Sequence, residues 1–77
     1  MRSTKQLDWD SVKLLVLMDM DGSKKLARVF DNHNNEFWLV PGAEPRYVGM
    51  NEPPEFGIHK QLSGDEAKAC VIDFLAG

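Results

Sequence analysis

The sequence has one cysteine, Cys70, so no disulfide can close within the chain. A lone thiol fits a reducing compartment, and the expected location is the cytoplasm. Long apolar runs are also missing. The longest, Leu14 to Met18, is five residues, against the roughly 20 needed to cross a bilayer, so no membrane association is expected. The opening MRSTKQLDWD lacks the apolar core of a secretory signal. Basic charge is scarce as well: 9 Lys and Arg stand against 12 Asp and Glu, a formal charge of −3. That balance argues against a domain built to hold a polyphosphate chain.

What remains is an ordinary globular composition, 43% hydrophobic and 27% charged, which argues against disorder. At 77 residues the chain is expected to be a single small α+β domain. A chain of this size buries only about 60% of its unfolded surface, so its fold is marginal or completed by a partner.

Residues 1–10 form a polar segment with no clear period and one large apolar group, Trp9. Val12 to Met20 reads as a strand. Val12, Leu14, Val16, Met18 and Met20 would line one face, and Lys13, Leu15, Leu17 and Asp19 the other. A helix starting after Asp10-Ser11 is the competing reading. DGSKK, Asp21 to Lys25, signals a turn, and Leu26 to Asp31 a return strand. DNHNNE, Asp31 to Glu36, is a second turn, and Glu36 to Val40 a third strand, dense in aromatic and branched groups. The result is an antiparallel meander. Residues 41–57 hold all four prolines and three of the six glycines. A loop this long is often functional; short strands are expected near Arg46 to Gly49 and Phe56 to His59.

The C-terminal segment from Ser63 to Gly77 reads as an amphipathic helix. Ser63 and Glu66 match a capping box, with Leu62 and Ala67 as its hydrophobic staple. Ala67, Cys70, Val71, Phe74 and Leu75 make one apolar stripe, with Lys68 and Asp73 facing away. The expected fold is therefore an antiparallel sheet of three to five strands with this helix packed on one face.

LLVLMDMDGS, Leu14 to Ser23, resembles the first motif of the haloacid-dehalogenase phosphatases. The resemblance implies an attacking carboxylate at Asp19 and a general acid at Asp21, on a doubly wound parallel sheet with Mg²⁺. It covers ten residues. Lys24 and Lys25 follow at once, the return strand stands where a crossover helix is required, and no later acidic pair follows a second apolar strand. Read residue by residue, the two aspartates end a strand and open a turn. An EF-hand loop from Asp19 fails too, with Lys24 and Phe30 where glycine and glutamate are needed. His33, His59 and Cys70 have no zinc-ligand spacing. A Cys70–His59 nucleophile would need a thiol freed from the helix's apolar stripe. No catalytic residue, cofactor or metal is expected.

The expected role is that of a non-enzymatic protein–protein interaction module: an adaptor, regulator or inhibitor, of a kind common in phage and other mobile elements. With a helix over one face of the first strand, Leu15 and Leu17 would need cover from another protein or a second copy of the chain, as in a homodimer. Trp38, Tyr47, Met50 and Phe56 are the other candidate contacts. The alternative partner is nucleic acid, gripped by Lys24, Lys25 and Arg28 at the first hairpin beside Phe37 and Trp38.

Overall fold

The computed structural model describes residues 5–20, 24–52, 59–60 and 62–77, without the side chains of residues 20, 24, 59 and 60. Five antiparallel strands form one sheet: β1 Val12–Met20, β2 Lys24–Asp31, β3 Asn35–Leu39, β4 Arg46–Met50 and β5 His59–Lys60. Their order is β4-β3-β2-β1-β5. Strands β1 to β3 are the expected meander, β4 extends it, and the short β5 returns to the free side of β1, making that strand internal. The helix α1, Gly64–Ala76, packs across β1 and β2, giving an α+β fold. Val12 to Met20 is thus a strand, and the helical alternative is excluded.

The two faces of β1 are not assigned as simple alternation predicts. The register slips between Val12 and Leu14, a bulge opposite Asp31 and Phe30. The extra residue, Lys13, is exposed, and the bulge brings Val12 onto the same side as Leu15. Val12, Leu15, Ala27, Val29, Phe37 and Leu39 then meet Ala67 and Val71 of the helix in the core, with Leu17 packed against it. The expectation that Leu15 and Leu17 require a partner is corrected here. The chain's own helix covers them, and Leu15 is completely buried.

The turn between β2 and β3 is held by Asp31. Its carboxylate accepts from the backbone N–H of His33 (2.8 Å) and Asn35 (2.9 Å) and from the Asn35 side chain (2.9 Å). Burial would raise the Asp31 carboxyl pKa, but the Asn35 and His33 hydrogen bonds and the His33 charge outweigh it and hold it low. Asn34 takes the left-handed conformation (φ 62°) that the turn requires and that asparagine tolerates.

The helix end departs from its sequence signature. Ser63 is the N-cap with extended backbone, yet its hydroxyl makes no capping hydrogen bond. Gly64, the first helical residue, has φ +64°, and a Cβ there would lie 3.3 Å from Asp10 Oδ1. The helix start enters through this left-handed residue and packs against the 3-10 turn Trp9–Ser11. The stripe itself is as expected: Ala67 and Val71 are buried, Cys70, Phe74 and Leu75 half-buried, and Lys68 and Asp73 exposed.

Candidate functional site: the sheet face opposite the helix

Strand alternation gives the other face of the sheet Leu14, Val16, Met18, Leu26, Arg28, Phe30, Glu36 and Trp38. Cross-strand pairing aligns four of its residues in one row, Val16 with Arg28, Arg28 with Trp38, and Trp38 with Arg46. The next row runs from Leu14 through Phe30 to Glu36 and Gly49. The face is graded. Val16, Phe30 and Glu36 are buried, whereas Trp38 is 41% exposed and Arg46 is exposed.

Glu36 organises this surface. It is 2% exposed and accepts three hydrogen bonds. Oε2 receives Arg28 Nε (2.7 Å) and Trp38 Nε1 (2.6 Å), and Oε1 receives Asn51 Nδ2 (2.9 Å). Burial alone would raise the Glu36 carboxyl. The bonds from Arg28 and Trp38, the Arg28 charge and the Asn51 bond outweigh it, so the pKa lies below the usual glutamate value. Two consequences follow. The anion is fully solvated by protein donors, and Trp38 is tied by its indole N–H with much of its ring in solvent. Arg28 also lies over the Phe30 ring, 5.5 Å from its centroid. Arg46 forms no ion pair among the described residues, in which Arg28–Glu36 is the one salt bridge.

The residues singled out from sequence are distributed differently from one common surface. Trp38 is on the face opposite the helix. Tyr47 pairs with Phe37 on the helix side, with ring centroids 5.4 Å apart, and its hydroxyl donates to Asn35 Oδ1. Met50, in register with Asn35 on the edge strand, is 68% exposed. Phe56 lies outside the described residues. The proposed basic hairpin is also divided. Successive residues of β2 point to opposite faces, and Lys25 reaches the end of the helix, donating to the Phe74 carbonyl (3.0 Å) over the Phe74 ring. Arg28 is bound to Glu36 on the other side, and the Lys24 side chain lies outside the described residues.

Asp19 is exposed and pairs with Lys25 in the antiparallel β1–β2 ladder; Asp21 lies outside the described residues. The parallel crossover that the phosphatase resemblance requires is replaced by this hairpin. Among the described residues no cluster of three His, Cys, Asp or Glu side chains could hold a metal, and no helix is long and apolar enough to cross a membrane. Cys70 belongs to the half-buried helix stripe, and His33 is exposed in its turn.

Glu36 and Asn51 were not singled out from sequence, and Arg46 only as part of the proline-rich loop and its expected short strand. A signal for Glu36 existed: closing the second turn at Asp31 and Asn35 forces Arg28 opposite Trp38 and Phe30 opposite Glu36. Arg46 and Asn51 enter through β4, whose register slips beside Glu36 and Phe37 and could not be read from alternation. A second feature, an open groove of about 580 Å³, runs between α1 and the turn after β3, with Leu39, Val40, Val71, Ile72 and Leu75 on its walls. Compared with protein families, curated proteins and solved structures, the chain matches none.

Proposed function

We propose that this chain is a non-enzymatic protein-interaction module that binds its partner through the exposed Trp38–Arg46 end of the sheet face opposite the helix. One observation carries the reading: a tryptophan 41% exposed is held in place by a buried carboxylate and flanked in its row by two arginines. Tryptophan and arginine dominate the residues that carry binding energy at protein interfaces. A side chain already ordered in the free protein loses less freedom on binding. The exposed Val48 on the adjoining edge strand extends the apolar part of this surface, whereas Met50, in register with Asn35, belongs to the helix side. A cytoplasmic location fits the single thiol.

The reading predicts that a partner retained from an extract of the producing cells by the immobilised chain is lost with Trp38→Ala. Circular dichroism must show the variant folded. Equal retention by both proteins would remove this face as the binding site. The nucleic-acid alternative loses its original footing, because Lys25 serves the helix end and Arg28 serves Glu36.

A further inference from the structure

The interaction reading leaves the partner's chemistry open, and the charges in the Trp38 row bear on it. The two arginines beside Trp38 are not equivalent. The Arg28 charge is matched by Glu36 at 2.7 Å, although only its Nε is used in that bond. Arg46, on the other side of the indole, is exposed and has no acidic partner among the described residues. The row therefore presents one unmatched guanidinium next to an aromatic ring, on a chain whose overall charge is −3.

Resting on the interaction-module reading, we propose that the Trp38 row takes an acidic peptide segment of another protein, a carboxylate seating on Arg46 and an apolar side chain on the Trp38 ring. A guanidinium presents paired N–H donors in a plane that matches a carboxylate, so one such group suffices for one Asp or Glu. The ring supplies the apolar half of the contact. Glu36 acts as a positioning residue, since its bond to Nε1 fixes the plane on which the apolar group lands. The charge count also selects against nucleic acid. A phosphate backbone is held by neutralising many phosphates at once, and one unmatched arginine on an acidic chain supplies little of that.

The test is a selection of random-sequence displayed peptides on the immobilised full chain, followed by calorimetric titration of the winning synthetic peptides into the wild type and its variants. The expected winners carry Asp or Glu beside an aromatic or aliphatic residue. Their affinity should fall about tenfold or more with Arg46→Glu and several-fold with Arg46→Gln, and weaken as salt is raised. Arg46 is exposed, so both variants should keep the wild-type melting temperature; Arg46→Gln decides the matter if Arg46→Glu does not fold. Winners without acidic residues that still need Trp38 would overturn the acidic-peptide inference and leave the module reading standing. No winners, or winners indifferent to Trp38→Ala, would overturn both. Tighter, salt-dependent binding of a labelled oligothymidylate than of any peptide would overturn the proposal in favour of nucleic acid.

Discussion

Replacing Glu36 by glutamine puts a neutral amide into a cage built entirely of donors. In the wild type the carboxylate receives Arg28 Nε, Trp38 Nε1 and Asn51 Nδ2. A glutamine can keep the first two on its single oxygen, and its NH₂ then faces Asn51. Asn51 is exposed and free to turn its amide oxygen inward, so that clash is relieved cheaply. What cannot be restored is the charge. Hydrogen bonds to ionised groups contribute about 1.5–3 kcal/mol and neutral ones about 0.5–1.5, so two bonds weakened by about 1 kcal/mol each amount to about 2 kcal/mol. Arg28 is 23% exposed, so water partly compensates it and the larger penalty of a fully buried orphan charge does not apply. In urea, with a slope of about 1 kcal/mol/M for so small a chain, the midpoint should fall by about 2 M at pH 7. The difference should also depend on pH. Because the folded pKa of Glu36 is lowered, its contribution is fully present above the ordinary glutamate value of 4.5 and is lost as pH falls through the folded value. Asp31 titrates in both proteins and cancels. The reasoning is refuted if the two proteins differ by less than about 0.5 kcal/mol at pH 7, or by as much at about pH 3 as at pH 7.

Two further substitutions separate the tertiary structure from sequence-level expectation. Leu15→Ala removes a fully buried group beneath the helix and should destabilise the chain by about 2–5 kcal/mol in the same urea assay; a change below about 1 kcal/mol would return Leu15 to an open face. Ser63→Ala should cost less than about 0.5 kcal/mol, because the hydroxyl makes no cap bond, whereas a working capping box would lose about 1 kcal/mol. Thermal melts of the variant and wild type distinguish the two.

The sequence by itself determined the elements. Alternation and turn residues marked β1 to β3, and the 3.6-residue stripe of Ala67, Cys70, Val71, Phe74 and Leu75 marked the helix and its buried side. These follow from local rules, since period and turn chemistry act over a few residues. Only the tertiary structure decided which face of β1 the helix covers, because one bulge at Lys13 shifts the alternation at the start of the strand. It also decided the fate of the cap, where the Ser63 hydroxyl makes no bond and the helix enters through a left-handed Gly64 packed close to Asp10. The candidate site lay between these extremes. Trp38 was visible as a large aromatic on a strand. Its anchor on Glu36 and its place between Arg28 and Arg46 depend on the registers of three strands, which exist only once the sheet has formed.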